Sequence, residues 1–192
     1  MSTSELNLFS YMVMALVGRG GASPYELQRM ARQGRIYDWA GESQYYVEPK
    51  RLAKLGYLEA RKEPGQTRPR TVYTLTDKGR DALRAWARTP ARLSPVRSEP
   101  LIRLLVADLA GDAVTRESMA ALREDIADVL ARLDESAAAA ETLPHRRRNL
   151  LLVNGFLRRL MALYEDLVDD VESELAPRRA GRAATPARRR RG

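Results

Sequence analysis

Cysteine is absent from this chain of 192 residues, and histidine occurs once, as His145. Without cysteine there is no disulfide framework, no thiolate metal site and no cysteine nucleophile. A single histidine gives no support to a histidine-based metal site or a Ser-His-Asp triad. The glycines of 18–21 precede a Ser-Pro pair, which is the pattern of a turn rather than of a phosphate-binding loop. We therefore expect no metal, no cofactor and no catalytic constellation.

Long hydrophobic runs are missing as well. The most apolar N-terminal stretch, residues 6–17, is too short and too interrupted to span a bilayer. It also lacks the basic residues that open a signal peptide. We expect a soluble, cytoplasmic protein with no membrane contact, and the absence of cysteine fits a reducing compartment.

The net charge of +8 is unevenly distributed along the chain. Residues 23–97 hold 16 Lys/Arg against 8 Asp/Glu, residues 98–176 hold 9 against 16, and residues 177–192 hold 7 Arg and no acid. A basic segment suits phosphate binding, whose free energy comes largely from released counterions. The alternative is that these Lys and Arg side chains only solvate a surface. The change of sign near a Pro-containing segment favours phosphate binding.

The most informative segment is 56–80, GYLEARKEPGQTRPRTVYTLTDKGR. Alternating apolar and polar residues in 57–61 and 71–75 predict two half-buried strands, and the Pro/Gly tip between them predicts a hairpin. The hairpin tip is basic. A helical pattern over 43–55 comes directly before it. A helix followed by a basic hairpin is typical of a winged helix that reads duplex DNA.

Three further helices are predicted before residue 90. Ser4 is expected to cap a helix over 5–17, and Ser23 a helix from Pro24 to about residue 33. Thr76 or Asp77 would cap a helix that ends near residue 88. The side chains expected to face the core from the third and fourth helices are Tyr46, Leu52, Leu55, Leu58, Leu83 and Trp86.

The C-terminal part reads as a helical bundle. A short apolar helix over 101–110 precedes a long helix capped by Thr115, and Leu143-Pro144 separates that helix from a second long one. Apolar residues at steps of three and four are typical of a bundle or coiled coil. Further apolar residues lie outside this repeat, so the apolar face is too wide for one helix hairpin to bury. A second copy of the chain is the expected partner that covers it. The predicted dimerisation seam is Leu150, Val153, Leu157, Leu160, Tyr164, Leu167 and Val171.

The predicted fold is therefore mainly α with a small β-hairpin wing. We divide it into a winged helix-turn-helix domain over 1–88, a linker over 89–98, a C-terminal α-helical dimerisation domain over 99–176, and a disordered Arg-rich tail over 177–192. The tail either adds sequence-independent DNA affinity or serves only solubility.

The acidic run 165–174 resembles a hard-cation site in composition, but consecutive acids on a helix point in several directions, which favours a solvated face.

Candidate DNA-contacting side chains come from the second helix, the third helix and the hairpin. The first turns of a recognition helix enter the major groove, where the Gln44 amide suits adenine. The Arg51 guanidinium would suit guanine if it faces the groove. Wing residues Arg68 and Arg70 would reach phosphates or the minor groove. For Lys54 a solvated helix position is the alternative. The full set is Ser23, Tyr25, Gln28, Gln44, Tyr45, Tyr46, Lys50, Arg51, Lys54, Arg68 and Arg70.

Three stretches resemble the PadR family of transcriptional regulators: LFSYMVMALVGRGGASPYEL, SQYYVEPKRLAKLGYL and VYTLTDKGR. The resemblance spans roughly residues 5–175, and the large C-terminal part resembles the subgroup with a long C-terminal domain, which dimerises through it. Tyr46 stands at the family's tyrosine, which implies a packed ring with its hydroxyl near a phosphate. Pro49 stands where the family has a core leucine. A proline inside a helix costs ~3 kcal/mol, so the helix either starts near Glu48 or is kinked.

The resemblance implies a homodimeric regulator, more often a repressor, that binds an inverted-repeat operator in double-stranded DNA. It also implies a response to a small hydrophobic molecule. Trp86, Phe156, Met161 and Tyr164 either line such an effector pocket or belong to the core and dimer seam. The open alternative is a winged-helix dimer that docks another protein without specific DNA binding. An enzyme would need converging polar residues on the inward seams, and these are apolar.

Overall fold

The computed structural model describes residues 5–32, 40–64, 69–93 and 95–177. Its N-terminal half contains helices and a β-hairpin. The elements are α1 (Leu8–Val17), α2 (Pro24–Arg32), α3 (Gln44–Lys54), β1 (Leu58–Glu63), β2 (Arg70–Leu75) and α4 (Asp77–Ala87). This order is the one that the sequence predicts. The mainly α fold with a two-stranded wing is confirmed.

Helix α1 is capped by Asn7, whose side-chain oxygen accepts the backbone N–H of Ser10 at 2.9 Å. The Ser10 hydroxyl in turn accepts the backbone N–H of Asn7 at 3.1 Å, which completes a capping box. Ser4 lies outside the described residues. The helix therefore begins at Leu8, later than predicted, because the first orphan N–H groups find their partner at Asn7.

The core of the N-terminal half lies between α1, α2, α3 and the base of the hairpin. Val13, Met14, Leu27 and Leu52 are fully buried there. Trp86 does not join them: it is 41% exposed, and its ring stacks on Tyr11 at 4.8 Å between centroids. The prediction that it faces inward is wrong.

The hairpin is held at its base by glycines and by backbone pairing. β1 and β2 are antiparallel with Leu58 opposite Leu75, and Ala22 adds a bridge to Tyr73 through hydrogen bonds of 3.0 and 2.9 Å. A Cβ on Gly79 would lie 2.2 Å from the carbonyl oxygen of Tyr57. Only glycine therefore lets α4 pack this closely on the hairpin.

Helix α3 runs without interruption from Gln44, although Pro49 lies inside it. The predicted alternative of a start near Glu48 is wrong. Pro49 has no N–H to donate to the carbonyl of Tyr45, so α3 lacks one i→i−4 bond. The proline ring is fully buried, and this apolar burial offsets part of that loss.

The remaining elements are α5 (Glu99–Leu105), α6 (Ala107–Ala110), α7 (Asp112–Ala120), α8 (Leu122–Glu141) and α9 (Pro144–Glu174). The predicted break at Leu143-Pro144 is confirmed, since α9 starts at Pro144. Thr115 is not a cap: it lies inside α7, and its hydroxyl donates to the carbonyl of Gly111 at 3.0 Å. The predicted short and long helices are thus divided differently around residues 106–122.

The chain forms two compact units, one of residues 1–96 with 129–158 and the other of 97–128 with 159–192. In the first unit, Asn154 Nδ2 on α9 donates to the carbonyl of Leu133 on α8 at 2.6 Å. In the second, Arg123 on α8 pairs with Asp169 and Glu172 on α9 at 2.7 and 3.0 Å. Helices α8 and α9 are therefore paired within one chain by side-chain contacts.

This intrachain pairing changes the predicted dimerisation seam. Leu157 and Val171 are buried at 3% and 6% exposure, so they have little surface left for a second copy. Leu150, Leu160, Tyr164 and Leu167 are partly buried.

Among the described residues, no helix is both long and apolar enough to cross a membrane. The predicted tail from residue 178 onward lies outside the described residues.

Candidate nucleic-acid interface

An open groove of about 1080 Å³ lies between the start of α2, the middle of α3 and the wing strand β2. Its lining includes several of the predicted DNA-contacting residues, namely Ser23, Tyr25, Tyr46, Lys50 and Arg70. Tyr25 is 63% exposed and Tyr46 is 40% exposed. Two phenol hydroxyls and the Lys50 ammonium can thus donate hydrogen bonds to an anionic partner in the groove.

The rings of the two adjacent tyrosines of α3 lie on the opposite sides of the helix from those predicted. Tyr45 has no exposed surface, and its ring meets Phe9 edge-on at 5.4 Å. It cannot contact DNA, while Tyr46 lines the groove instead of the core. Successive helical residues point about 100° apart because there are about 3.6 residues per turn. A Tyr-Tyr pair therefore places one ring on each side, and the sequence alone does not indicate which.

Arg51 faces α1 rather than the groove. Its Nε and Nη2 donate to the two carboxylate oxygens of Glu48 at 2.8 and 2.7 Å. Nη2 also donates to the Ser10 hydroxyl, and Nη1 to the backbone carbonyl of Glu5, both at 3.0 Å. The condition under which Arg51 would read guanine is therefore not met, because its donors are bound to α1 and α3 and not directed to the groove.

Glu48 is the buried acceptor at the centre of this cluster. It is 6% exposed, and the Ser10 hydroxyl donates to it at 2.7 Å. Burial alone would raise the pKa of the Glu48 carboxyl, but the hydrogen bonds from Arg51 and Ser10 outweigh burial and leave the pKa below its ordinary value. The cluster attaches α3 to α1 from the side opposite the groove.

Two further predicted contacts are buried. Ser23 is 6% exposed and Gln28 is 5% exposed, so neither side chain presents much surface to a DNA backbone. Ser23 instead closes the start of α2. Gln28 has a buried Nε2 with no hydrogen-bond partner among the described residues. Ser23 and Gln28 are therefore no longer candidate DNA contacts.

Gln44, Lys50 and Lys54 are exposed along α3, as expected of residues that approach DNA. Val47, which the prediction omitted, lies on the same helix and is 54% exposed. An exposed valine in a recognition helix suits contact with the thymine methyl group. An apolar side chain has no charge or hydrogen-bond donor that would have marked it as a DNA contact in the sequence.

The wing contributes Arg70, while Arg68 lies outside the described residues. Arg70 Nη1 donates to Glu26 Oε1 at 2.8 Å, and Nη2 donates to Glu63 Oε2 at 3.4 Å. The guanidinium is 47% exposed, so it keeps a surface toward the groove.

Glu26 is a groove residue that the prediction missed. Its Oε2 accepts the backbone N–H of Ser23 at 2.8 Å and the Ser23 hydroxyl at 2.7 Å. The backbone N–H of Ser23 is the main cause of a lowered pKa at Glu26; burial opposes it, and the Ser23 hydroxyl and Arg70 lower the pKa further. The Ser-Pro-Tyr-Glu spacing of 23–26 is that of a capping box, which could have identified it.

The four residues of the predicted effector pocket are distributed over both compact units. Trp86 and Phe156 belong to the first unit, whereas Met161 and Tyr164 belong to the second. Phe156 is 55% exposed, and the Tyr164 hydroxyl donates to Ser98 Oγ at 3.0 Å. The shared pocket stays a prediction.

A second cavity, of about 660 Å³, lies within the first unit between α1, β2, α4 and the start of α9. Apolar Met14, Leu75 and Leu83 form part of its wall. Arg146 is held there by a hydrogen bond from Nη2 to the carbonyl of Ala15 at 2.9 Å. The basic side chains that line the cavity are Arg19, Arg80, Arg84, His145 and Arg146.

Comparison with solved structures shows the same fold in other proteins. Bacillus subtilis PadR in complex with operator DNA matches with a TM-score of 0.70 at 20% identity, covering 89% of this chain and 97% of that one. The protein smu.1604c from Streptococcus mutans UA159 matches at 0.71 and 18%, covering 90% and 100%. Bacillus subtilis PadR in complex with p-coumaric acid matches at 0.65 and 17%, covering 89% and 100%. At these identities the likeness shows a common fold.

No curated protein sequence matches this chain significantly. Residues 23–85 match the transcriptional regulator PadR-like family. The matched segment contains α2, α3, the hairpin and most of α4, which are the elements around the groove. The segment around the groove therefore matches PadR-like transcriptional regulators, and the chain shares the fold of Bacillus subtilis PadR.

Proposed function

We propose that this protein is a homodimeric repressor of PadR type that binds an inverted-repeat operator in double-stranded DNA. The observation that carries the proposal is the groove in which Tyr25, Tyr46 and Lys50 are exposed beside the wing. The operator complex of Bacillus subtilis PadR, a protein of the same fold, supports it. The protein would act in the cytoplasm and without catalysis.

On α3 we assign direct base contact to Gln44 and Val47. The amide of Gln44 can bind adenine in two places, and the exposed Val47 suits the thymine methyl group. Both lie in the first turns of the helix, which is the part that enters the major groove in helix-turn-helix proteins.

Contacts with the DNA backbone fall to the exposed residues that line the groove. Tyr25 and Tyr46 would donate their hydroxyls to phosphate oxygens, and Lys50 and Arg70 would add positive charge. Lys54 is exposed one turn further along α3 and extends this basic row. Such contacts fix the register of the protein on the duplex.

We propose that dimerisation uses the C-terminal helices, with residues 89–98 as the linker and 99–176 as the dimerisation domain. Helices α5 and α6 bury none of their own side chains. Large apolar side chains are exposed in the second unit, namely Leu101, Ile102, Leu105, Val106, Leu109, Val114 and Leu163. A second copy of the chain would cover them, and two groove surfaces would then meet half-sites ~34 Å apart.

We also propose a small-molecule response through the basic cavity between α1 and α4. Met14 and Leu83 would contact the apolar body of a ligand, and an arginine such as Arg19 would pair with a carboxylate. The p-coumaric acid complex of Bacillus subtilis PadR supports a ligand of this chemistry. Titration of the DNA complex with p-coumaric acid should release DNA, whereas its neutral methyl ester should not.

The main test is DNA binding by the full chain, titrated across salt with DNA from its own promoter region. We expect selective binding that weakens steeply with salt, and a loss of affinity for Tyr46→Phe and Lys50→Ala. Arg88→Ala is the matched control, since Arg88 is exposed at the end of α4 and lines neither the groove nor the basic cavity. Unselective binding that disappears when residues 177–192 are removed would instead mean that the tail alone holds DNA, and would favour a protein-docking role for the groove.

A further inference from the structure

We propose that Glu26 is a positioning residue of the DNA interface, whose carboxylate links the start of α2 to the wing through Arg70. The inference rests on the proposed function. It adds that an acidic residue in the proposed DNA-binding groove sets the position of the outer part of the wing relative to the start of α2.

The two oxygens of the Glu26 carboxylate bind different elements. Oε2 accepts the backbone N–H and the hydroxyl of Ser23, at 2.8 and 2.7 Å, and so closes the N-terminus of α2. Oε1 accepts Nη1 of Arg70, the first residue of β2, at 2.8 Å. One side chain therefore joins the helix-turn-helix to the hairpin.

The position of Arg70 along β2 explains why this link matters. The base of the wing is fixed by the backbone pairing of Ala22 with Tyr73, and by Gly21, whose Cβ position would lie 2.9 Å from Thr74 Cγ2. Arg70 lies three residues closer to the tip than Tyr73, which is ~10 Å at the rise of a strand. The Glu26–Arg70 pair thus holds the outer part of the wing, beyond the backbone bridge.

Electrostatics alone would predict the opposite role for Glu26. A negative charge in a DNA-facing groove repels phosphate, so its removal should strengthen binding to any duplex. A positioning role predicts weaker binding to the operator only, because binding to random DNA does not depend on the position of the wing relative to the helix-turn-helix. The two explanations therefore predict changes in operator affinity of opposite sign.

The test is Glu26→Gln in the full chain, with affinity measured for an operator duplex and for a random duplex of equal length. Glutamine can still accept the Ser23 N–H, as in a capping box, but it has no charge for Arg70. We expect about tenfold weaker operator binding, within the range seen for coupled neighbours, and random-duplex binding that is unchanged or stronger. Glu59→Gln is the control: it removes the same charge from β1, where Glu59 pairs with Arg61 of the same strand, and should weaken neither.

A second measurement separates positioning through Arg70 from a general loss of folding. In an Arg70→Gln background, Glu26→Gln should change operator affinity no further. In the free protein, Glu26→Gln should speed amide hydrogen exchange in residues 70–72 and leave the core of α1 protected.

Equal or tighter operator binding by Glu26→Gln, with unchanged exchange in the wing, would overturn the inference. If the unmodified protein shows no operator preference, the proposed function fails, and so does the role of Glu26 in DNA recognition. The exchange measurement then still decides whether Glu26 holds the wing in place.

Discussion

Glu48 is a buried carboxylate on the helix that we propose to lie on DNA, and its partners reach it from two directions. Ser10 donates to it from α1, and Arg51 donates from the next turn of α3. A buried charge is tolerable only when it is paired and hydrogen-bonded in this way. The cluster therefore holds α3 against α1 and compensates for the bond that Pro49 removes.

We predict that Glu48→Gln lowers the free energy of unfolding by about 2 kcal/mol at neutral pH, because hydrogen bonds to a charged group are lost. The pKa of Glu48 in the folded protein lies below its ordinary value of 4.5, so the unfolded chain binds more protons in this range. The stabilisation is complete well above pH 4.5 and is lost as the pH falls through the folded pKa. Urea unfolding at several pH values should show the gap to the unmodified protein closing below pH 4.5.

The control for this measurement is Glu42→Gln, which removes a carboxylate that is exposed and pairs with Arg32 at 3.7 Å. It should change the free energy of unfolding by less than about 0.5 kcal/mol. A pH-independent gap for Glu48→Gln would show that the lost interaction is steric rather than electrostatic.

The adjacent tyrosines of α3 allow a matched pair of substitutions. Tyr45→Ala should destabilise the protein by about 3–5 kcal/mol, since it empties a fully buried aromatic site. Tyr46→Ala should leave thermal unfolding nearly unchanged and weaken operator binding, since Tyr46 is 40% exposed in the groove. The reverse pattern in thermal melts and DNA titrations would contradict the orientation of α3.

At the scale of elements, the hairpin and α4 meet across a contact that has no room for a side chain. The Cβ of an alanine at position 79 would lie 2.2 Å from the carbonyl oxygen of Tyr57 and 3.1 Å from Leu75 Cδ2. One obstacle is backbone, so the strain cannot be relieved by a rotamer change alone. The glycine thus belongs to the packing of the wing base as much as to α4.

We predict that Gly79→Ala lowers stability by about 1–3 kcal/mol, the usual cost of overpacking, although alanine is the better helix former. Gly20→Ala is the control, because nothing lies within 4 Å of the Cβ it would introduce. Thermal unfolding of both variants checks this. A Gly79→Ala protein as stable as the control would mean that α4 shifts away from β1 without cost.

At the scale of the whole molecule, large apolar side chains are exposed on α5 and α6. Leu105 and Leu109 are 79% and 84% exposed on helices that bury none of their own residues. The two leucines are four residues apart along the chain, and a contiguous exposed apolar patch would mark an interaction site. In a homodimer, these leucines would carry association without contributing to the fold of the single chain.

We therefore predict that Leu105→Ser/Leu109→Ser shifts the dimer toward monomer at micromolar concentration and leaves the helical content unchanged. Leu93→Ser is the control, since Leu93 is 97% exposed in the predicted linker. Sedimentation velocity distinguishes the two states. Unchanged self-association in the double variant, together with dissociation in the control, would move the interface to the linker.

Much of the fold could be predicted from residues 23–85, because local rules govern those elements. Turn glycines, the Pro/Gly tip and the alternation in 71–75 specify a hairpin, and Thr76 accepts the N–H of Gly79 as its predicted capping role requires. The site was predicted less well. Gln44, Lys50 and Tyr25 are exposed as expected, while Tyr45, Ser23 and Gln28 are buried.

The sequence by itself determined the order of the elements in the winged region and the basic charge of that region, since periodicity, turn residues and charge are properties of neighbours along the chain. The tertiary structure decided which face of α3 points to the groove, that Arg51 binds Glu48 and Ser10, and that Glu26 binds the wing. Ser10 and Glu48 are separated by 38 residues, and Glu26 and Arg70 by 44. Such pairings depend on how separate elements pack, and no local pattern in the chain encodes that distance.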